Sequence, residues 1–278
     1  MPVALRLPKG RILLKSFVGG ALFGEVQPGT RDNELWVLLH GWGRTMADFQ
    51  SFAALVADST DSSWLVRFDL PGFGTSPAPR KPIGSHEYAE IVGDAIGQVV
   101  ASMPSPSEVK VFVIGHSFGG RIALSLTSLS LTAFTLSAIL LSGVPLLRNS
   151  ASVRRPKMSF RIAKLLAGNG LISKTRMEAL RVRYGSRDYA AATGVMRDVL
   201  VKVVNEDYSK LLENLSVPVL LFWGTEDTTA PLVVAEKAVG KCPSHITLQS
   251  MPGDHFLAVT FPKMLLDAVE DLVQRTRD

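Results

Sequence analysis

Gly115-His116-Ser117-Phe118-Gly119-Gly120 sets a serine among glycines, directly after the apolar run 109–114 and just before a helical pattern from Arg121. That order makes a sharp strand-to-helix turn with the serine hydroxyl lifted clear of the sheet. Such a turn crowds the backbone, so its flanks must lack Cβ atoms. The helix that follows aims its first N–H groups at any anion formed beside the serine. The chemistry this serves is nucleophilic attack on an acyl carbon.

A hydroxyl is a poor nucleophile without a base, and five histidines compete for that role. His116 belongs to the turn and is expected to point away from the reacting atom. His40 sits in a Gly-rich turn after a strand and reads as a turn organiser. His86 opens a helix and His245 precedes a strand, so both read as solvated. His255, in Pro252-Gly253-Asp254-His255-Phe256, follows the run 246–249 and precedes the last helical pattern. Sites in parallel α/β sheets assemble at the carboxyl ends of strands, which makes His255 the candidate base.

The base needs a carboxylate to fix its tautomer and steady the imidazolium. Asp227, in the turn after the run 219–223, is the candidate. Glu226 beside it reads as solvated. Asp69, in Asp69-Leu70-Pro71-Gly72-Phe73-Gly74, reads as a structural bend, and Asp254 would have to fold back on its neighbour. His40-Gly41-Trp42-Gly43 follows the run 35–39, and its glycines let backbone approach a bound acyl group. The N–H groups of Trp42 and Phe118 would converge on the developing oxyanion.

These loops need a scaffold. Runs at 35–39, 64–68, 109–114, 138–141, 219–223 and 246–249 read as buried strands. Helical patterns at 88–102, 121–130, 231–241 and 262–275 fall between them. That alternation predicts a mostly parallel sheet covered by helices. Pro231 suits the first turn of its helix. The stretch 12–24 reads as two short strands, because Lys15 interrupts it and Glu25 stands where a cleavage site wants a small residue. Between 144 and 213 the patterns are only helical, at 157–167, 174–184 and 188–204. The chain therefore divides into a first core part (1–143), a helical insertion (144–213) and a second core part (214–278).

Charge is distributed unevenly along the 278 residues. The insertion holds fourteen Lys/Arg against six Asp/Glu, leaving sixteen against nineteen elsewhere. Lys157, Arg161 and Lys164 would line one helical face. The plain reading is a solvated face; the sharper one is an anionic substrate or an acidic carrier protein docking there. No recognised nucleic-acid-binding module accompanies the charge, which argues against that class of partner. The apolar run 129–141 is too short to span a bilayer. The single cysteine, Cys242, cannot form an internal disulfide and has no zinc-like neighbours, so a cytoplasmic location is expected.

Taken together, His40–Gly43, Asp69–Gly74, Gly115–Gly120, Gly224–Pro231 and Gly253–His255 stand in an order and spacing that resemble the α/β-hydrolase superfamily over essentially the whole chain. The resemblance implies an eight-stranded, mostly parallel sheet flanked by helices, with a helical cap inserted after the sixth strand. It implies a Ser117-His255-Asp227 triad, an oxyanion hole from Trp42 and Phe118, and chemistry that needs no metal or organic cofactor. A serine at the turn departs from the epoxide hydrolases and haloalkane dehalogenases, which carry aspartate there. Similar proteins are mostly carboxylesterases, so a small carboxylic ester is the expected substrate. C–C bond hydrolases and lactonases share the triad, and a non-turnover ligand receptor is the alternative outside enzymes.

Overall fold

The computed structural model describes residues 13–147, 187–242 and 244–277. The expected helices 157–167 and 174–184, with Lys157, Arg161 and Lys164, lie outside the described residues.

Eight strands form one sheet: β1 (Leu13–Phe17), β2 (Leu22–Gln27), β3 (Arg31–Leu39), β4 (Ser63–Asp69), β5 (Lys110–His116), β6 (Thr135–Ser142), β7 (Val219–Gly224) and β8 (Ile246–Met251). Their order across the sheet is β1-β2-β4-β3-β5-β6-β7-β8. β1 and β2 pair antiparallel, as do β2 and β4, while every pairing from β4 through β8 is parallel. All six predicted core strands are present and longer than predicted. In β3 the added residues, Arg31–Glu34, are polar and gave no apolar signal.

The central strands are apolar on consecutive residues because both faces are covered. Leu35, Val37 and Leu39 of β3 enter one core layer, whereas Trp36 and Leu38 enter the other. β5 repeats this with Val111 and Val113 against Phe112 and Ile114. Cutting one such side chain back, as in Phe112→Ala, costs about 3–5 kcal/mol in lost transfer energy and cavity.

Helices α1 (Gln50–Ala57), α2 (Ser85–Val100) and α3 (Phe118–Leu126) precede the interval between β6 and β7. Within that interval lie α4 (Arg187–Ala191), α5 (Gly194–Val204) and α6 (Ser209–Glu213); α7 (Leu232–Val239), α8 (Leu257–Thr260) and α9 (Pro262–Arg275) follow. α2, α3 and α7 pack on one face of the sheet, α1 and α9 on the other.

Three helical expectations are corrected. The helix predicted over 121–130 begins at Phe118 and ends at Leu126. Its end comes early because Thr127 and Ser128 hydroxyls donate to the Leu124 and Ser125 carbonyls, each at 2.7 Å, competing with helix continuation. The helix predicted over 188–204 is two, α4 and α5, parted where Thr193 is extended and Gly194 turns left-handed at φ 52°. Pro231 precedes the first turn of α7, with ψ 144°, and does not lie within it. Among the described residues no helix is long and apolar enough to cross a membrane.

Candidate active site

Every residue singled out for chemistry follows a parallel strand and so lies at one edge of the sheet. Ser117 stands between β5 and α3 with φ 50° and ψ −108°, a conformation that costs a non-glycine residue about 1–3 kcal/mol. Two main-chain bonds hold it there. The Ser117 N–H donates to the Ser142 carbonyl at 2.8 Å, and the Gly119 N–H donates to the His40 carbonyl at 3.0 Å. A Cβ at Gly119 would overlap the Leu39 and His40 carbonyls, so only glycine lets α3 start this close to β3.

His255 lies between β8 and α8, with Nε2 3.2 Å from the Ser117 Oγ and Nδ1 2.8 Å from the Asp227 Oδ2. Its Nδ1–H donates to the carboxylate, which leaves Nε2 to accept from the serine hydroxyl. The other oxygen of Asp227 accepts N–H bonds from Thr229 and Ala230 at 2.8 and 2.7 Å. Trp223 pins that loop by donating its indole N–H to the Ala230 carbonyl at 2.7 Å. Asp227 is buried, whereas Glu226 is exposed. The loops after β7 and β8 are joined by Glu226 N–H to Gly253 O at 2.9 Å and Thr225 N–H to Met251 O at 3.0 Å.

The Trp42 and Phe118 rings pack together, 5.3 Å apart, and Phe73 meets Trp42 at 5.0 Å. Neither the Trp42 nor the Phe118 backbone N–H bonds to another backbone group among the described residues.

Residues 36–268 match the model of the Alpha/beta hydrolase family. The chain belongs to that family. Solved structures resemble this alpha/beta hydrolase along almost its full length. An esterase from Rhodococcus is 19% identical, with 95% of this chain and 98% of that one covered and a TM-score of 0.62. An esterase from Exiguobacterium antarcticum is 18% identical, with 95% and 99% covered and a TM-score of 0.64. A bromoperoxidase from Bacillus anthracis is 19% identical, with 95% and 100% covered and a TM-score of 0.67. These likenesses show the fold, and a fold hosts many chemistries. No curated protein sequence matches the chain.

The remaining histidines of this alpha/beta hydrolase occupy varied settings. His40 is buried, donates from Nδ1 to the Gly41 carbonyl at 2.8 Å and accepts the Leu70 N–H at 3.0 Å. Burial lowers its pKa, so it stays neutral while tying the loop after β3 to the loop after β4. Asp69 likewise braces loops, accepting from Met46 N–H at 2.7 Å and Thr75 N–H at 2.8 Å. His86 stands 3.7 Å from Glu90, and His245 lies 2.9 Å from the Ser244 hydroxyl. His116, next to the nucleophile in sequence, is buried, and its ring packs against His255 with centroids 4.9 Å apart.

Sequence reasoning also missed Gly143, directly after β6. Its φ is 61°, and a Cβ there would lie 2.9 Å from His255 Nδ1 and 3.2 Å from Asp227 Oδ2. The lone signal was a glycine at the end of a buried strand, which any strand end can carry.

Proposed function

We propose that this alpha/beta hydrolase is a serine hydrolase that cleaves a small carboxylic ester through an acyl-enzyme intermediate. The unbroken chain from Ser117 Oγ through His255 to Asp227 carries the reading. Ser117 Oγ bonds to the ester carbonyl carbon as its proton passes to His255 Nε2. Asp227 accepts from Nδ1 and steadies the imidazolium. Trp42 and Phe118 N–H groups take the charge on the former carbonyl oxygen. Collapse breaks the carbon–alkoxide bond, and His255 returns the proton to the departing alcohol. Water repeats the sequence and frees the acid. No step calls on a metal or organic cofactor.

The similar esterases support an ester as the substrate class. We further read the interval 144–213 as a cap insertion, whose described part, 187–213, packs on the core. In support, the Met196 side chain of α5 rests against Gly72, in the loop after β4. The Arg121 guanidinium of α3 donates to the Val203 carbonyl, and Lys202 pairs with Glu87 at 2.6 Å. The basic charge of this interval supports an anionic ester or an ester delivered on an acidic carrier protein.

A fluorophosphonate probe tests the reading directly. It should label wild type at Ser117, leave Ser117→Ala unlabelled, and be displaced by the esters that are turned over. Labelling of Ser117→Ala at the wild-type rate would overturn the assignment.

A further inference from the structure

His116 is buried against the proposed base, yet no step above uses it. Its ring meets the His255 ring at 4.9 Å and a tilt of 56°. Phe256 leans on both, at 5.8 Å from His116 and 5.4 Å from His255. Because the Ser142 carbonyl can only accept, His116 carries its hydrogen on Nδ1 and donates it there at 3.2 Å. That same carbonyl holds the Ser117 N–H at 2.8 Å. One oxygen at the end of β6 therefore anchors the strained backbone of the nucleophile and the ring that packs on the base.

Resting on the reading of His255 as base, we infer that His116 is a positioning residue, its ring holding the His255 imidazole on the line from Ser117 to Asp227. Small rotations of His255 would lengthen the 3.2 Å contact to Ser117, and misplacement by about 1 Å costs up to about 10²-fold in rate. Packing density is what resists such rotations.

The neighbour must also tolerate the imidazolium that forms beside it. His255, Asp48 and Asp227 are the titratable groups acting on His116, and Arg44 lies beyond, 5.3 Å from the Phe256 ring and paired with Asp48. Burial, reinforced by His255, pushes His116 down to about 3. The ring stays neutral while His255 charges, so it packs without repelling.

Three variants separate ring from hydrogen bond. His116→Phe keeps a ring and loses the donor, His116→Asn keeps a donor and loses the ring, and His116→Ala loses both. Fluorophosphonate inactivation resolves binding (KI) from reaction (kinact). We expect His116→Ala and His116→Asn to lower kinact about 10–10²-fold with KI within about twofold, and His116→Phe to recover most of the rate. A folded His116→Ala within about twofold of wild type, or His116→Asn matching His116→Phe, would overturn the inference. Thermal melting reports folding; if the alanine variant does not fold, the Phe-against-Asn order decides alone. Ser117→Ala and His255→Ala run alongside: their continued labelling would sink the serine hydrolase reading itself, whatever His116 does.

Discussion

A methyl group on Gly143 would sit 2.9 Å from Nδ1 of His255, inside the contact that links this ring to Asp227. The same residue holds φ 61°, where a side chain is strained. Gly143→Ala should therefore lower kcat about 10–10²-fold with KM little changed, and cost about 1–2 kcal/mol of stability. Steady-state kinetics and a denaturant titration check both halves. Full turnover in a folded variant would show that the pair accommodates the methyl.

Ser117→Ala should remove turnover and leave the melting temperature close to wild type. Ser117→Gly should be equally dead yet more stable by about 1 kcal/mol, because glycine relieves the strain at φ 50°. Calorimetry on the two variants separates strain from chemistry; equal melting temperatures would deny the strain.

Asp227→Asn should reduce kcat by about 10⁴-fold while substrate binding hardly moves, since an amide no longer fixes the His255 tautomer. Glu226→Gln, on an exposed neighbour, should stay within about twofold. The reverse ranking would move the acid role to Glu226.

Acid should destabilise the fold through its buried histidines. His116 and His40 both have folded pKa values below the ordinary 6.5, with burial the leading cause. As pH falls through about 6.5, the unfolded chain takes up protons that the folded chain refuses. Stability therefore drops below about pH 6.5, by up to about 1.4 kcal/mol per pH unit for each histidine, until the folded group titrates, near 3 for His116. His116→Phe should flatten part of that slope in melts between pH 7 and 4. An unchanged slope would place the acid sensitivity elsewhere.

What could be read without coordinates follows physical locality. Strands buried on both faces write themselves as apolar runs, and all six core strands were visible that way. The antiparallel β1 and β2 were visible too, as short runs around Lys15. The turn at Ser117 was legible because its glycines are demanded by sterics within six residues. His116 and Gly143 were not, because their importance comes from contact with His255, more than a hundred residues further on. The break between α4 and α5 escaped for a smaller reason: one left-handed glycine interrupts an otherwise continuous helical period.

The loops at this edge of the sheet are laced through peptide groups: Ser117 to Ser142, Gly119 to His40, Thr225 to Met251, Glu226 to Gly253. Peptide groups are common to every residue type, so lacing of this sort outlasts most exchanges of side chain around it. Mutation is free to repaint the aromatic surface of Trp42 and Phe73, or to change α4 to α6, while Ser117, His255 and Asp227 keep their spacing. Descendants of such a scaffold can keep the same three side chains in register and diverge in what reaches them.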